Sequence, residues 1–512
     1  MRDNSSNSRA RGSIVLAVTI LGSSMAFVDG TVVNVALPAL QNAFGASIAD
    51  VQWVVESYAL MLAALLLVGG SLGDLLGRRK VYVFGIAVFA VASAGCGAAR
   101  NIDMLIWLRS IQGVGAALLV PGSLALITAS FPEETRGRAI GTWSGFTAMA
   151  AAVGPVIGGW LIEYSTWRWV FFLNLPLALA VILLAPKVPE SRNENASHHL
   201  DWPGALLVTF GLGGVTYALI EWPTRARHGG HFVAVTAVLG VAALAGFVAV
   251  EYWSRMPMVS LALFRSRNFA GANLLTLFLY ASLGGLMFFF PMDLIQIQHY
   301  TPTQAGAAFL PFVAIMFGLS RWAGGLVARF GSRIPLTVGP LVAACGIALF
   351  AVVPQGGSYW TTFFPAVVVM GMGMTISVAP LTTTVMDAVP ESESGLASGI
   401  NNAVSRLASL LAVAVFGAIL VTAFNHSLDR ALNQLALTPT VRGQVDVARP
   451  LLAAAHNPNP MVQRAIIESF VSGYHFVIWI ATGLAALSAV TAWLLIEPGT
   501  RRSVAQLPTK GR

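Results

Sequence analysis

The stretch SIVLAVTILGSSMAFVDGTVVNVALP, residues 13–38, is long enough to cross a membrane and carries one carboxylate, Asp29. A helix needs roughly 20 apolar residues to span about 30 Å of hydrocarbon. The basic start and apolar middle are similar to a secretory signal peptide, but the run continues into Asp29, past any position where cleavage is expected. The pattern therefore predicts an uncleaved first membrane span with an acid inside it.

Apolar runs of this kind recur along the whole sequence. Of the 512 residues, 56% are hydrophobic and 10% are charged, a composition typical of proteins with many membrane spans. The chain is therefore predicted to be an all-α integral membrane protein, with no room left for a separate soluble domain. Windows of about 19 residues predict fourteen spans, at 13–36, 50–69, 80–98, 104–127, 139–162, 168–186, 202–221, 233–252, 270–291, 306–328, 334–353, 360–383, 402–424 and 475–496.

The net charge of +8 does not indicate nucleic-acid binding, because the basic residues are spread over short segments between the spans. If the N-terminus is inside, most Lys and Arg residues, Arg406 included, fall on inner segments. This predicts a protein of the cell membrane, surrounded by lipid, with both termini cytoplasmic. The two cysteines, Cys96 and Cys345, lie in different predicted spans and support neither a disulfide framework nor a metal site.

A weak internal repeat suggests two related halves. GGSLGDLLGRRK (69–80) has an echo in GGLVARFGSR (324–333), each after the second helix of a six-helix group. In the long segment before the last span, VQRAIIESF is predicted to be either an amphipathic surface helix or part of an inert loop. The expected organisation is a tail at 1–12, a six-helix half at 13–186, a polar linker at 187–201, an inserted helix pair at 202–252, a second half at 270–496 with an outer loop at 425–474, and a tail at 497–512.

Charged groups inside the membrane are the first candidates for function, since they are costly there unless they pair or line a cavity. Asp29 and Glu56 are the two acids predicted well within spans. At about 1.5 Å per residue, both fall roughly 9–14 Å below the outer boundary, as does Arg109. Such a group can load and release a proton as a cavity changes face. The alternatives are that Glu56 faces a wet rim and that Arg109 only ties loops together.

Four motifs, in this order, resemble signatures of the major facilitator superfamily, and in particular of its fourteen-helix drug:proton antiporter branch. DGTVVNVALP (29–38) is similar to the first-helix signature of the branch, and GSLGDLLGRRK (70–80) to the loop signature, although Leu75 replaces a usual basic residue. LRSIQGVGAA (108–117) is similar to the fourth-helix signature with its arginine. AAAVGPVIGGW (150–160) is similar to the fifth-helix antiporter signature, with Ala150 replacing a glycine.

The resemblance implies a major facilitator fold of two pseudo-symmetric six-helix halves plus an inserted helix pair. It implies proton coupling through Asp29, with Arg109 beside it and a less certain part for Glu56. The proton gradient would supply the energy, with no cofactor, and the protein would work as a monomer on a small-molecule substrate. Three further stretches also resemble sequences typical of this branch: TWRWVFFLNLP, DWPGALL and LFRSRNF.

The loop and fifth-helix motifs also have a physical reading of their own. Glycines permit a tight reversal and close helix contact, while acidic and basic side chains around them can form charge pairs that hold one face shut. In the fifth helix, small residues permit close backbone approach and a proline bends the helix. The predicted switch residues are Gly70, Gly73, Asp74, Gly77, Arg78 and Arg79, and those of the antiporter helix are Gly154, Pro155, Gly158 and Gly159.

Other residues carry weaker signals. The histidines, among them His198, His199 and His475, are expected in loops or at span ends. The phenylalanines at 288–290 are expected to be ordinary lipid-facing or core apolar residues, or else an apolar wall of a binding site. Arg321 is expected to reach the membrane interface with its long side chain.

The function predicted from these features is proton-coupled export of small lipophilic or cationic compounds, that is, multidrug or antibiotic efflux by drug:proton antiport. An exporter or importer of an endogenous metabolite is the alternative. A nutrient symporter would share the fold, but the motif around Pro155 argues against it. A sensor would need a further cytoplasmic module, and an enzyme would need clustered catalytic groups. The sequence leaves lipophilic cations, neutral antibiotics and secreted metabolites all open as substrates.

Overall fold

The computed structural model describes residues 2–192, 201–225, 230–254, 258–352, 356, 358–390, 393–435 and 437–498. Within these residues the chain forms helices and no strand. The α-helices are α1 (Arg2–Phe44), α2 (Ile48–Leu76), α3 (Arg78–Gly97), α4 (Ile102–Ser130), α5 (Glu133–Tyr164), α6 (Arg168–Phe172), α7 (Asn174–Leu184), α8 (Trp202–Arg225), α9 (His231–Trp253), α10 (Arg267–Met292), α11 (Pro302–Ala307), α12 (Leu310–Gly324), α13 (Leu326–Phe330), α14 (Arg333–Phe350), α15 (Tyr359–Asp387), α16 (Ser394–Gln434), α17 (Pro439–Ala448) and α18 (Pro460–Leu495).

Fourteen segments of the described chain are helical, long and apolar enough to cross a membrane, which confirms the predicted number. The sixth span, Arg168–Lys187, joins α6 to α7, and the tenth, Pro302–Gly324, joins α11 to α12. Side-chain caps begin some of the spans, among them α2 and α4. Ser47 and Asp50 cap the start of α2 reciprocally, which satisfies backbone N–H groups that would otherwise face the membrane boundary unpaired.

Two helices extend beyond their predicted spans. The helix α16 continues to Gln434, and α18 begins at Pro460. The segment expected as a loop at 425–474 is therefore helical at both ends, and VQRAIIESF is the first part of α18 instead of a separate surface helix or a loop. Between these helices, Arg449 forms ion pairs with Asp429 and Asp446, which fasten the connecting segment to the end of α16.

The start of α16 also changes the position of one arginine. Arg406 is inside this helix and is half-buried, so its assignment to an inner loop is wrong. The linker at 187–201 is described as far as Arg192 and again from residue 201, and the last tail as far as residue 498. His198 and His199 lie outside the described residues.

The spans before and after the inserted pair form two groups, each with its own packing. In the first group, α2 and α3 pack along α4, and α5 packs along α1. In the second, α10, α14, α15, α16 and α18 pack on one another. Phe288, Phe289 and Phe290 are buried in this second group, and Phe290 lies against Phe350 and Phe363. The three phenylalanines are therefore core residues and not the wall of a cavity.

The inserted pair covers the seam between the two groups. The helix α8 packs on α9 and also contacts α2 of the first group and α16 of the second. Trp53 of α2 lies against Tyr217 of α8, and Leu212 of α8 clusters with Leu60 and Leu410. Most of α9 is exposed, as expected for a helix that faces lipid.

The two groups of helices meet along α5 at one end of the bundle. We call the end with the turn between α1 and α2 the Gly45 end, and the end with the turn between α2 and α3 the Gly77 end. At the Gly45 end, α5 packs tightly on α11, and Glu163 accepts a hydrogen bond of 3.2 Å from the Thr303 backbone N–H. At the Gly77 end, a methyl group added to Gly141 of α5 or Gly318 of α12 would meet no atom within 4 Å.

Candidate functional site

A buried ion pair lies at the centre of the first group of helices. Asp29 of α1 is 0% exposed and Arg109 of α4 is 1% exposed, and Arg109 Nη1 donates to Asp29 Oδ2. The guanidinium also donates to Gln112 Oε1 at 2.7 Å and, through Nε, to the backbone carbonyl of Val54 at 3.0 Å. Arg109 is thus held by three acceptors on three helices, as a charge in a low-dielectric site requires.

The other carboxylate oxygen of Asp29 is held by two amides. Gln112 Nε2 donates to Asp29 Oδ1 at 2.9 Å, and Asn174 Nδ2 donates to the same oxygen at 3.2 Å. Asn174 also donates to Ser93 Oγ at 3.0 Å, and Ser93 donates to the carbonyl of Phe171 at 2.8 Å. The carboxylate is therefore the centre of a network that joins α1, α3, α4 and α7.

Aromatic rings enclose the guanidinium of Arg109. Its Cζ lies 4.2 Å from the centroid of the Tyr58 ring and 5.9 Å from that of Phe171. The negative faces of these rings stabilise the cation where water is excluded. The Tyr58 side chain is 5% exposed, and its other face lies against Phe89 of α3.

Glu56 does not join this pair, contrary to the expected cluster of three charges. Its side chain is 1% exposed, and neither carboxylate oxygen has a hydrogen-bond partner within the described chain. One turn before it, Gln52 donates to the Val413 carbonyl of α16 at 2.8 Å, and one turn after it, Leu60 contacts α8 and α16. Glu56 therefore lies on the face of α2 toward the seam and not on the face toward Arg109. Because its side chain is buried, Glu56 also does not face water at the edge of a cavity.

Two further acids are buried near span ends, in keeping with the sequence, which placed only Asp29 and Glu56 well within spans. Glu251, at the end of α9, is 3% exposed and accepts a hydrogen bond from the Val259 N–H at 3.1 Å. Asp293, also 3% exposed, begins a π-helical turn at the end of α10. Both lie near span ends, so the central position of Asp29 still distinguishes it.

The loop motif forms a compact turn at the Gly77 end. Gly77 has φ 110°, which favours glycine, and it lets α3 begin directly after α2. Asp74 pairs with Arg78 across this turn, with 2.8 Å between Asp74 Oδ1 and Arg78 Nη2. Arg79 donates to the carbonyl of Val188 at 2.9 Å and pairs with Glu190. The motif thus fastens α2 and α3 to the segment after α7.

The first two glycines of the loop motif precede this turn. A Cβ on Gly70 would lie 3.7 Å from Pro121 of α4, and one on Gly73 would lie 3.9 Å from Arg78. Both distances are ordinary van der Waals contacts, so neither position requires glycine for space alone.

The small residues of α5 make two close contacts at the Gly45 end. On one face, Gly154 and Gly158 lie against Thr31 and Val32 of α1, so α5 packs directly beside the segment that carries Asp29. On the other face, a Cβ on Gly159 would overlap the carbonyl of Pro302 at the start of α11.

A second close contact between α11 and α5 lies beside the first. A Cβ on Gly306 of α11 would overlap the carbonyl of Pro155, and Pro155 lies inside α5. Close approach of the two backbones therefore depends on the absence of side chains at both glycines. The two groups of helices are in direct backbone contact here.

The family follows from comparison with known proteins. The sequence model of the Major Facilitator Superfamily matches residues 19–413. The chain belongs to this superfamily. Its members are transporters and not enzymes, and they bind small-molecule substrates and typically work as monomers. The protein is accordingly a multi-pass membrane transporter, with fourteen apolar helices in the part of the chain that the structure describes.

Several relatives within the superfamily are named for drug resistance. The multidrug resistance protein Stp of Mycobacterium tuberculosis is 33% identical over 94% of this chain and 91% of its own length. The puromycin resistance protein pur8 of Streptomyces alboniger is 33% identical over 95% of this chain and 91% of its own. The tetracenomycin C resistance and export protein of Streptomyces glaucescens is 29% identical over 93% and 90%.

Solved structures support the fold. A bacterial homologue of the human lysosomal transporter Spinster, in an inward-facing and unoccupied conformation, superposes with a TM-score of 0.67 at 18% identity, over 94% of this chain and 97% of that chain. The xylose transporter XylE of E. coli gives a TM-score of 0.58 at 15% identity, over 96% and 97%. The likeness shows the major facilitator fold.

Some polar residues of this superfamily member were not singled out from the sequence. Gln112 and Asn174 bind Asp29 directly, and Ser93 orients Asn174. Gln112 is three residues after Arg109, the spacing that places two side chains on one face of a helix, so that signal was present. Asn174 is a neutral amide in an apolar run, and no spacing marks it.

Proposed function

We propose that the protein exports small lipophilic compounds in exchange for protons and that Asp29 carries the proton. The observation that supports this most is the position of Asp29. It is a fully buried carboxylate, neutralised by one arginine, and its helix packs directly on the small-residue face of α5. A proton on this carboxylate changes the charge balance next to the contact that closes one end of the transporter.

The proton step needs only the residues of this network. With Asp29 ionised, Arg109, Gln112 and Asn174 all donate to it, which is the arrangement in the structure. When a proton binds Asp29, the carboxyl group is neutral and the attraction of Arg109 for it falls. The two protonation states therefore favour different arrangements of α1 and α4, and thus different openings. When the pair forms again, the proton passes from the carboxyl group to water.

The direction of exchange rests on the two ends of the molecule. We assign the Gly77 end to the cytoplasm because the basic loops cluster there. The structure is closed along α5 at the Gly45 end, so cargo would enter from the cytoplasmic side in this state. A proton taken up at the outer face in the other state would drive the return. The proton gradient then supplies the energy without a cofactor.

The relatives support drug-like cargo. Three proteins that match over nine-tenths of this chain are named for multidrug resistance, puromycin resistance, or tetracenomycin C resistance and export. Their range of names fits a site that selects by lipophilicity and size. We therefore assign this chain to efflux of foreign or self-made toxic compounds across the cell membrane.

The test is Asp29→Asn, which keeps the shape of the side chain and removes its charge. The full chain and the variant are expressed in an efflux-deficient bacterial host and scored against a panel of toxic compounds. They are then purified into vesicles that contain a pH-sensing dye. We expect Asp29→Asn to insert normally, to confer no tolerance and to move no protons with cargo.

Asp103→Asn provides the matched control, since Asp103 is an exposed acid in the first turn of α4. It should keep both tolerance and proton movement. Normal export with a dye response in Asp29→Asn would refute the assignment of the proton to Asp29. Export by the unchanged protein with no dye response would refute proton exchange itself.

A further inference from the structure

A small polar cavity lies among α10, α15 and α16, outside the network around Asp29. Its volume is about 70 Å³, whereas a pocket that encloses a whole drug-sized molecule measures roughly 300–1,000 Å³. The cavity can therefore hold one functional group of a cargo molecule and not the whole of it. The residues that make it polar are Tyr280 of α10, Thr382 of α15, and Ser398, Asn401, Asn402 and Ser405 of α16.

The cavity lies at the Gly77 end of the second group of helices, next to the first group. A Cβ on Gly399, in the α16 wall, would lie 3.9 Å from Leu67 of α2, and α2 ends nine residues later, at Leu76. Thr382 and Asn402 are exposed, so the cavity is open on one side. It is therefore beside the interface of the two groups, at the end where the proposed function has cargo enter.

Asn401 is held in one orientation by its neighbours on α10. The Thr276 hydroxyl donates to the Ala272 carbonyl at 2.8 Å, so its oxygen accepts from Asn401 Nδ2, at 2.7 Å. Asn273 Nδ2 donates to the Phe269 carbonyl at 2.9 Å, which leaves Asn273 Oδ1 to accept from Asn401 Nδ2 at 3.1 Å. Both hydrogens of the Asn401 amide are thus used. Its Oδ1 has no hydrogen-bond partner within the described chain.

The other polar side chains of the cavity also donate to the protein itself. Asn402 Nδ2 donates to the Ser398 carbonyl at 3.0 Å. The Ser405 hydroxyl donates to the Asn402 carbonyl at 2.8 Å, and the Thr382 hydroxyl to the Val378 carbonyl at 3.1 Å. The side-chain oxygens of these residues keep lone pairs that can accept further hydrogen bonds.

The cavity therefore offers mainly acceptors, and it offers no charge. Its remaining donors within the described chain are the second N–H of Asn402 and the hydroxyls of Ser398 and Tyr280, and a hydroxyl can also accept. No charged side chain of the described residues lines the cavity. A ligand group that donates several hydrogen bonds fits this arrangement better than one that accepts them.

The nearest basic residue along α16 does not line the cavity either. Arg406 is seven residues after Gly399 and four before Leu410, a spacing that places all three on one face of a helix. Gly399 approaches Leu67 of α2, and Leu410 clusters with Leu60 of α2. Arg406 therefore points toward α2, and neutral oxygens are left to select what enters the cavity.

We propose that this cavity binds the protonated amine of a cargo molecule through neutral oxygen acceptors. The inference rests on the proposed export function and narrows it, because it selects amines that keep N–H donors over quaternary ammonium ions of the same charge. The acceptors are Asn401 Oδ1, Asn402 Oδ1 and Thr382 Oγ1, and a charged donor strengthens such hydrogen bonds. The open side leaves any remaining N–H group of the ammonium to water. Asp29 is then free to serve the proton alone.

The experiment uses three fluorescent probes that share a dansyl group and an alkyl chain and differ at the end of the chain. The ends are a primary amine, which is protonated at neutral pH, a trimethylammonium group and a methyl group. They provide charge with donors, charge without donors, and neither. Binding to the purified full chain in lipid nanodiscs is measured by fluorescence without a proton gradient, and the signal of empty nanodiscs is subtracted.

The main variant carries both Thr382→Val and Asn402→Ala, which removes two acceptors and leaves the bonds of Asn401 to α10 in place. Thr382→Val alone keeps the shape of the side chain and is the milder variant. Thr422→Val is the matched control. Thr422 is an exposed threonine of α16 that donates to the carbonyl four residues before it, as Thr382 does, and it lies outside the cavity.

We expect the unchanged protein to bind the primary amine about tenfold more tightly than either other probe, the factor that one charge-assisted hydrogen bond supplies. In the double variant this preference should fall to within about twofold, and in Thr382→Val to about threefold, because acceptors are lost. Binding of the trimethylammonium and methyl probes should not change. Thr422→Val should behave like the unchanged protein.

Several results would overturn the proposal. Equal binding of the amine and trimethylammonium probes by the unchanged protein would mean that charge alone attracts cargo. Equal binding of the amine and methyl probes would mean that the cavity recognises neither charge nor donors. A full preference for the amine in both Thr382→Val and the double variant would place its recognition elsewhere.

One further variant separates this inference from the proposed function. Asp29→Asn is expected to lose proton-coupled export but to keep the preference for the primary amine at equilibrium, since Asp29 is fully buried in another part of the bundle. Loss of the preference in Asp29→Asn would show that the acid and not the cavity recognises the amine. Export without proton movement would contradict the proposed function and leave the binding preference intact.

Discussion

The function proposed for this transporter depends on a single residue pair, and the geometry of the pair depends on arginine in particular. Arg109 reaches the carbonyl of Val54 through Nε while Nη1 contacts Asp29 and Gln112. A lysine carries the same charge as a point and cannot form this fork. The orientation of the guanidinium therefore fixes the relative positions of α1, α2 and α4.

The first prediction is that Arg109→Lys lowers proton-coupled export at least about tenfold, because the lysine cannot hold Asp29 and Val54 at once. The protein should still fold, since the charge that neutralises Asp29 is retained. Export is measured in vesicles with a pH-sensing dye, and folding by the thermal unfolding midpoint. Arg168→Lys, an arginine outside this pair that donates to the carbonyls of Gly97 and Ala99, is the control. Equal export by Arg109→Lys and the control would contradict the role of the fork.

The second prediction concerns Glu56, which the sequence grouped with Asp29 and the structure separates from it. Neither of its oxygens has a hydrogen-bond partner within the described chain, so replacing it with a neutral amide of the same shape removes no bond. Glu56→Gln should keep proton coupling within about twofold and should unfold at the same or a higher temperature. Proton movement by Glu56→Gln as low as that of Asp29→Asn would show that Glu56 is a coupling residue after all.

The sequence identified part of this site, for physical reasons that differ between residues. Depth can be read from the rise per residue, and it correctly placed Asp29 and Arg109 in one layer. Direction around the helix axis cannot be read in the same way, because all faces of these spans are apolar, and this is why Glu56 was grouped with the pair. Asn174 was missed because candidate residues were chosen by charge inside the membrane, and an amide carries none.

At the scale of elements, α5 connects the proton site to the closed end of the molecule. One face of this helix holds Gly154 and Gly158 against α1, and the other brings Gly159 to Pro302 of α11. A displacement of α1 would therefore move α5 and change the backbone contact between α5 and α11 at the Gly45 end. Packed helices do not deform continuously, so the contact is either made or broken.

The third prediction is that Gly159→Val opens the Gly45 end, because the added side chain overlaps the Pro302 carbonyl and the two backbones cannot close. Thr303, which lies in this contact, is replaced with cysteine as a reporter in a Cys345→Ser background, since Cys345 is exposed and Cys96 is buried. Alkylation by a membrane-impermeant reagent should be several-fold faster in Gly159→Val.

The matched control for this experiment lies in the same helix. A methyl group on Gly141 meets no atom within 4 Å, so Gly141→Val should alkylate at the rate of the parent protein. If Gly159→Val and Gly141→Val alkylate equally slowly, the glycine contact does not close this end.

The number of spans was predictable and several of their bounds were not. The apolar run in a sequence ends where the helix leaves the hydrocarbon, but the backbone can remain helical beyond that point. The helix α16 continues in this way as far as Gln434, and α18 begins before its apolar run, at Pro460. The same reasoning explains the error at Arg406. The rule that basic residues flank membrane spans places Arg406, which stands beside an apolar run, in a loop. In the structure α16 has already begun about three turns before it.

At the scale of the whole molecule, charge decides how the membrane potential acts on transport. Asp29 and Arg109 neutralise each other, so the charge that crosses with each cycle is set by the proton and the cargo. Moving one elementary charge through about 100 mV is worth about 2.3 kcal/mol. The sign of the cargo is therefore visible in the voltage dependence of export, independently of any binding measurement.

The last prediction follows from this charge count and rests on the proposed exchange of cargo for protons. If one proton enters as one monoanion leaves, two positive charges move inward per cycle, and about 100 mV negative inside contributes about 4.6 kcal/mol. Exchange of a monovalent cation for one proton moves no net charge and gains nothing from the potential. In vesicles with the Gly77 end inside, a potential set with potassium and valinomycin should therefore accelerate export of the anionic dye fluorescein and leave export of rhodamine 123, a monovalent cation, unchanged. Fluorescein export that is insensitive to a potential negative inside would rule out a proton exchanged for an anion.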